Sequence, residues 1–214
     1  MESIGILGGT FNPPHRGHLA LARHAVKELS LESLLMVPAR LAPHKPPAVD
    51  PGPAHRLRMC ELAVADEPGL SVSALELDRE GPSYTVDTLE AVHASHPGVD
   101  LTFILGADIA GTLPSWRDPE RLLSLADLAV ASRNGSDRGR VLDAIASLGG
   151  PAVEREGGRQ PVHFLHMAPV DVSSSIVRER VRAGQPIDDL VPGTVARYIG
   201  EHGLYMAQSK DGNE

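Results

Sequence analysis

The sequence lacks several features that mark particular protein classes. It contains one cysteine, Cys60, so no disulfide can form within the chain, and its apolar neighbours predict ordinary packing in a helix. No apolar run approaches the length of a membrane span, and no charged leader with a long apolar region precedes the first apolar residues. These absences lead us to expect a cytoplasmic protein with no membrane association.

Positive charge is also scarce. The chain has 20 lysines and arginines against 28 acidic residues, a net charge of −8. This balance argues against a general binder of nucleic acid, because that polymer is itself anionic. None of the three lysines (Lys27, Lys45 and Lys210) stands in a G-K-[ST] sequence, which excludes a P-loop NTPase.

Length and composition predict a single domain. A chain of 214 residues, 42% of them hydrophobic, can bury a sizeable core. We place the domain at residues 1–207 and expect a polar, frayed tail at 208–214. Neither the length nor the composition sets the oligomeric state.

Short apolar runs alternate with stretches of helical spacing along the chain. The predicted strands are Ile4–Leu7, Leu34–Val37, Leu70–Leu77, Leu101–Leu105, Leu128–Ala131 and Val162–Leu165, and predicted helices include His55–Ala65, Tyr84–Ala94 and Arg121–Ala126. This alternation predicts an α/β fold with a mostly parallel, doubly wound sheet. Ligands of such sheets bind beyond the carboxyl ends of the strands. The proline-rich segment Ala42–Pro53 predicts a long surface loop.

The most informative stretch runs from Gly8 to His18, directly after the first apolar run. It predicts a strand, a tight glycine turn, and a helix whose first turn contains His18. Unpaired N–H groups at a helix start favour an anion, and we expect phosphate there. A metal site is the minority alternative, since no third ligand follows at a recognisable spacing. A purely structural role for His15 and His18 is also less favoured, because the glycine pair lets backbone approach a bulky anion.

A second candidate phosphate site lies late in the chain. Ser173, Ser174 and Ser175 precede the helical run Ile176–Arg182, and Arg178 follows one turn later. Hydroxyls, first-turn N–H groups and a guanidinium could together bind phosphate oxygens. The alternative is a serine N-cap with a solvated arginine. We expect Arg180 and Arg182 of the same run to be surface charge.

These segments resemble known signatures. The first resembles the HxGH motif of nucleotidylyltransferases, and Val172–Arg178 resembles their ISSTxIR segment. Gly81–Leu89 resembles the SYTxDTL segment of bacterial nicotinate-mononucleotide adenylyltransferases, and Val37–Lys45 resembles their substrate loop. The resemblance implies a Rossmann-like nucleotidyltransferase fold. It further implies transfer of the adenylyl group of ATP to nicotinate mononucleotide, giving deamido-NAD and pyrophosphate in NAD biosynthesis, with Mg²⁺ accompanying the triphosphate.

The resemblance also implies residue roles. Catalytic roles fall on His15, His18 and Arg178. ATP contacts fall on Gly8, Gly9, Thr10, Phe11, His15, His18, Gly106, Asp108, Ser173, Ser174, Ser175 and Arg178. Contacts to the mononucleotide fall on Asn12, His44, Lys45, Ser83, Tyr84, Thr85 and Trp116. No protein side chain is assigned to a metal.

Each of these roles has a structural alternative. Trp116 would otherwise be a half-buried packing residue, Ser83 and Asp108 would be helix caps, and Lys45 would be solvated. Asn12 replaces the aspartate of many relatives, which removes a charge but keeps hydrogen-bonding capacity.

Three rival functions share parts of this pattern. Pantetheine-phosphate adenylyltransferases resemble a T-x-G-H version of the first motif, which His15 argues against. Cytidylyltransferases have HxGH but lack the SYTxDTL segment. A non-catalytic nucleotide sensor would be expected to lose a phosphate-contacting residue, yet His15, His18, Ser174 and Arg178 are all present.

Overall fold

The described residues form one six-stranded parallel sheet with helices packed on it. The computed structural model describes residues 2–41, 49–132, 137–148, 162–168 and 170–207. The strands are β1 (Ser3–Gly9), β2 (Ser33–Pro38), β3 (Leu70–Val72), β4 (Asp100–Gly106), β5 (Ala126–Ala131) and β6 (Val162–Leu165), in the order β3-β2-β1-β4-β5-β6. All five neighbouring pairs are parallel. The predicted doubly wound α/β class is confirmed.

Helices cover both faces of the sheet. They are α1 (Arg16–Glu28), α2 (Pro53–Val64), α3 (Thr85–Ser95), α4 (Ala107–Ala110), α5 (Pro119–Leu125), α6 (Asp137–Ala146), α7 (Ser174–Arg182) and α8 (Gly193–Glu201). Buried residues of α1, α2, α7 and α8 form one apolar cluster, and those of α3 to α6 form a second. Cys60 is fully buried in the first cluster, as its apolar neighbours predict. In the described part of the chain, no helix is long and apolar enough to cross a membrane.

The strand order reverses beside β1. This strand pairs with β2 on one side and with β4 on the other, and each of the three leads into a candidate ligand segment at its carboxyl end. The segments following β1, β2 and β4 therefore meet at one edge of the sheet, at the switch point where α/β proteins bind ligands.

Some predicted boundaries are wrong. β3 ends at Val72 instead of Leu77, because the chain turns back with Leu77 N–H donating to the carbonyl of Ala74 at 2.7 Å. Ala126 belongs to β5 and not to the preceding helix, since it pairs with Leu101 of β4.

The proline-rich loop ends one residue earlier than predicted, at Gly52. Pro53 is the first residue of α2 and not the last residue of the loop, because its fixed φ suits a helix start. Residues 42–48 of this loop, including His44 and Lys45, lie outside the described residues, as does the predicted tail at 208–214.

Candidate active site

The two histidines of the first motif lie side by side at the start of α1. His15 is the N-cap residue, and His18 is the third residue of the helix, as the sequence predicts. Their rings stack with centroids 3.6 Å apart and an angle of 22° between planes. Their placement puts two imidazoles at the end of α1 where the helix dipole favours negative charge.

Burial and a backbone hydrogen bond determine the protonation state of His18. Burial, with a further contribution from the neighbouring His15, lowers the pKa of His18 well below its ordinary value of 6.5. Its Nδ1 lies 3.2 Å from the backbone N–H of His15, which donates to it. A neutral imidazole whose Nδ1 accepts must carry its proton on Nε2. His18 is thus prepared as a neutral N–H donor.

Glycines give this region its close packing. Gly8 and Gly9 lie in the last part of β1 instead of forming the predicted glycine turn, and the left-handed residue of the turn is Phe11, with φ of 48°. A Cβ on Gly9 would come within 3.1 Å of the Phe11 ring, and the same ring packs edge-on against His18 at 4.9 Å. Gly9 therefore makes room for the ring of Phe11.

Gly17 is the second point of close approach. A Cβ there would lie 2.9 Å from Val172 Cγ1 and 3.1 Å from His15 Nδ1. Only glycine lets the start of α1 pack this closely on the segment that leads into α7.

The second motif joins the first through direct hydrogen bonds. Ser174 Oγ donates to the carbonyl of Pro13 at 2.8 Å, and Arg178 Nη1 donates to the carbonyl of Asn12 at 2.6 Å. Arg178 Nη2 also donates to Ser175 Oγ at 3.1 Å. The two predicted phosphate segments therefore form one continuous surface.

Ser173 and Arg180 each have a partner within the protein. Ser173 is the N-cap, and its Oγ accepts from Ile176 N–H at 3.2 Å. Arg180 pairs with Asp189 at 2.7 Å, which holds the pKa of that carboxyl below its ordinary value. The expectation that Arg180 is surface charge is confirmed.

A cavity opens between the two motifs and the ends of β4 and β5. Its volume is about 260 Å³. The residues that line it include His15, His18, Gly106, Ser132 and Ser173. The cavity lies at the carboxyl edge of the sheet, where the strand order predicts a ligand.

Asp108 stands apart from this cavity. It is the second residue of α4, which Gly106 caps, so the helix-cap alternative for Asp108 is wrong. Its side chain is 87% exposed, and Arg140 Nη2 donates to its Oδ1 at 3.2 Å. The predicted ribose contact of Asp108 remains a prediction.

Three of the residues predicted for the mononucleotide, Ser83, Tyr84 and Thr85, lie at the start of α3. Tyr84 is the N-cap of α3, and Thr85 is its first residue. Ser83 does not cap the helix as its alternative supposes, because its Oγ accepts from the backbone N–H of Arg40 at 3.0 Å. Arg117 lies over the Tyr84 ring, 4.7 Å from its centroid.

Trp116 is held from two sides. Its Nε1 donates to Thr112 Oγ1 at 3.0 Å, and its ring meets Phe103 edge-on at 6.1 Å. The side chain is partly buried against the second apolar cluster. These contacts fix the ring plane, which both a packing role and a stacking role require.

Asn12 has protein partners for both ends of its amide. Its Nδ2 donates to the carbonyl of Val49, and its Oδ1 accepts from Tyr205 Oη, both at 2.7 Å. The residue is 3% exposed. Its predicted contact to the mononucleotide remains a prediction, while the structure shows a bridge between the first motif and the segment before α2.

Sequence reasoning missed Arg56, which is 1% exposed in α2. Its guanidinium donates to the carbonyls of Thr10 and Ala39 at 2.9 and 2.6 Å. A signal was present, because Arg56 stands in one helical stripe with the buried residues Met59, Cys60 and Ala63. A charged residue in such a stripe needs buried partners.

Relatives of known name place this chain in a family. A cytidylyltransferase-like family model matches residues 6–180. The nicotinate-nucleotide adenylyltransferase of Bacillus subtilis is 35% identical over 96% of this chain and 99% of its own length. A protein of Geobacillus kaustophilus, named a probable nicotinate-nucleotide adenylyltransferase, is 41% identical over 98% of this chain and 88% of its own. The chain belongs to the nicotinate-nucleotide adenylyltransferase family.

Solved structures agree on the fold. The nicotinic acid mononucleotide adenylyltransferase of Plasmodium falciparum, solved in complex with NaAD, superposes with a TM-score of 0.73. It is 18% identical and covers 96% of this chain and 98% of its own. A Vibrio parahaemolyticus structure covers 96% of each chain, with a TM-score of 0.64 and 19% identity. The Rossmann-like nucleotidyltransferase fold and the enzyme class expected from the motifs are confirmed.

Proposed function

We propose that the protein transfers the adenylyl group of ATP to nicotinate mononucleotide, giving deamido-NAD and pyrophosphate in NAD biosynthesis. The observation that carries this proposal is the direct bonding of the two phosphate motifs, Ser174 to Pro13 and Arg178 to Asn12. We name residues 8–18 and 173–178 the phosphate half of the site. Ser83–Thr85, Trp116 and the segment Ala39–Leu41 form its pyridine half.

The reaction needs positioning and charge stabilisation. An oxygen of the mononucleotide phosphate bonds to the α-phosphorus of ATP as the bond from that phosphorus to the α,β-bridging oxygen breaks, and this oxygen leaves with pyrophosphate. Negative charge grows on the leaving group. In our proposal His18 Nε2–H donates to a phosphate oxygen of ATP, His15 contacts the same phosphates, and the N-termini of α1 and α7 face the triphosphate.

Arg178 adds a permanent positive charge to the phosphate half. Its guanidinium is already oriented by Asn12 and Ser175. A pre-oriented fork of donors loses little freedom when a phosphate arrives, so it can stabilise both bound ATP and the leaving pyrophosphate.

The pyridine half would select the acceptor. The first N–H groups of α3 have no partner within the helix, and at Tyr84–Thr85 they could donate to the nicotinate carboxylate. The ring of Trp116 would stack on the pyridine. On the basis of the sequence alone, we propose that His44 and Lys45 contact the mononucleotide phosphate. We propose that Asn12 contacts the mononucleotide from the turn after β1.

Nucleotidyltransferases of this kind typically use a divalent metal. The described residues contain no group of three or more histidine, cysteine, aspartate or glutamate side chains placed to hold one. The donors at the site are cationic or neutral N–H groups, which fit a metal that arrives on the triphosphate. We propose Mg²⁺, which would neutralise phosphate charge when bound. A cytoplasmic location and a domain boundary at residue 207 also remain proposals.

The test is a product assay with separate acceptors. The purified protein is incubated with ATP, Mg²⁺ and either nicotinate mononucleotide, nicotinamide mononucleotide or 4′-phosphopantetheine, and pyrophosphate and the dinucleotide are quantified. We expect deamido-NAD as the main product and its loss on chelation of the metal, with Mg²⁺ restoring it. Product with phosphopantetheine alone would assign a different adenylyltransferase, and no product with any acceptor would favour the nucleotide sensor.

A further inference from the structure

Arg56 is a buried cation that contacts three separate segments of the chain. Its Nη1 donates to the carbonyls of Thr10 and Ala39 at 2.9 and 2.6 Å, and its Nη2 donates to the carbonyl of Arg40 at 3.2 Å. Its Nε donates to Asp50 Oδ1 at 3.0 Å. One guanidinium therefore fixes the turn after β1 to the end of β2 and to the segment before α2.

These contacts continue into the pyridine half. Arg40 N–H donates to Ser83 Oγ, and Ser83 N–H donates to the carbonyl of Leu41, both at 3.0 Å. Arg40 Nη1 also donates to the carbonyls of Leu77 and Arg79 at 2.9 and 3.2 Å. The chain of bonds from Thr10 through Arg56 and Arg40 ends at Ser83, two residues before α3 begins.

The phosphate half has other anchors that do not involve Arg56. Arg178 and Ser174 hold the carbonyls of Asn12 and Pro13, and Tyr205 holds the Asn12 amide. In the segment Ala39–Leu41, Arg56 takes the carbonyls of Ala39 and Arg40, and Ala39 N–H donates directly to the phosphate half, to the carbonyl of Gly9 at 2.8 Å. Removal of the guanidinium should therefore displace the pyridine half more than the phosphate half.

We propose that Arg56 is a positioning residue that sets the pyridine half of the site against the phosphate half, and so controls binding of the acceptor mononucleotide. It acts through Ala39, Arg40 and Ser83 without touching a substrate. This inference rests on the proposed function, since the acceptor must be known for its binding to be measured. A lysine could not replace the arginine, because a single ammonium cannot reproduce a planar fork that reaches four oxygens.

The test compares Arg56→Met and Arg56→Lys with wild type by steady-state kinetics for both substrates and by thermal unfolding. We expect Arg56→Met to raise KM for nicotinate mononucleotide about 10- to 100-fold while KM for ATP changes by less than about threefold. Arg56→Lys should show a smaller rise in KM for nicotinate mononucleotide than Arg56→Met, but its KM should stay above the wild-type value. Because lysine keeps the charge and much of the apolar stem, this variant tests the proposal if Arg56→Met fails to fold.

Two control variants separate positioning from general destabilisation. Arg58→Met makes the same change on the same helix at an exposed residue that pairs with Glu61, and should leave both KM values unchanged. Leu31→Ala creates a cavity at the opposite edge of the sheet and should lower thermal stability without the KM split.

Three results would overturn the proposal. They are wild-type constants in a folded Arg56 variant, an equal rise of both KM values, and full rescue by lysine. Failure of the wild-type protein to form deamido-NAD would instead overturn the proposed function, so the two failures are distinguishable.

Discussion

Contacts in the phosphate half join parts of the chain that are 161 and 166 residues apart, whereas Trp116 in the pyridine half is bonded only four residues away, to Thr112. The phosphate half thus consists of side chains that other segments hold in place. In the pyridine half the candidate donors are backbone groups at the start of α3, beside one fixed ring. Loss of one side chain that is proposed to contact a substrate should therefore damage the phosphate half severely and the pyridine half only mildly.

The largest effect is expected for His18→Ala, which removes a pre-oriented donor to charge that grows in the transition state. We expect turnover to fall by roughly two to four orders of magnitude with the fold intact. Steady-state kinetics and circular dichroism provide the measurement. His24→Ala is the matched control, because His24 lies on the same helix and pairs with Glu28 away from the site. A folded His18→Ala protein with wild-type turnover would contradict the role of the first motif.

Arg178→Ala should have the next largest effect. Loss of a charged, oriented fork should raise KM for ATP and lower kcat together, with kcat/KM reduced about 10- to 100-fold. Arg182→Ala, an exposed change one turn later on α7, is the control. If calorimetric ATP titration and kinetics both match wild type, Arg178 serves only to join the two motifs.

Trp116→Ala tests the smaller effect that we expect in the pyridine half. Stacking of one aromatic ring contributes little beyond its buried area, so we expect KM for nicotinate mononucleotide to rise about tenfold or less, with ATP affinity nearly unchanged. Trp116→Phe should recover most of the loss. Because Trp116 is the sole tryptophan, its fluorescence should change when the mononucleotide binds. Fluorescence that does not change at saturating mononucleotide, together with an unchanged KM in Trp116→Ala, would show that Trp116 is a packing residue.

The smallest effect concerns stability and pH. The pKa of His18 in the folded protein lies below its ordinary value of 6.5. Between these two values the unfolded chain binds a proton that the folded protein does not, so the free energy of unfolding should fall as pH is lowered through about 6.5. Denaturant unfolding at several pH values should show a shallower fall in His18→Asn. An identical slope in both proteins would show that His18 is not held neutral by folding.

Local positions in the site were easier to predict from the sequence than the contacts between distant segments. The strands β1, β2 and β4 and the histidine positions were predictable, because apolar runs and helical spacing are local signals. The partners of Arg56 and Tyr205 were not, since Thr10, Ala39 and Asn12 are brought to them only by the folded sheet. The end of β3 was missed for a similar reason, because an apolar run cannot show where pairing with β2 stops.

The most direct test of the two-half site is the acceptor preference of the wild-type protein and of His18→Ala. A carboxylate can accept from the N–H groups at Tyr84 and Thr85, whereas the NH₂ of the amide cannot. We therefore expect kcat/KM for nicotinate mononucleotide to exceed that for nicotinamide mononucleotide by roughly one to two orders of magnitude. His18→Ala should lower both values and leave their ratio within about twofold of wild type, because His18 belongs to the phosphate half. Equal efficiency with the two acceptors, or a ratio that collapses in His18→Ala, would contradict the separation of the site into two halves.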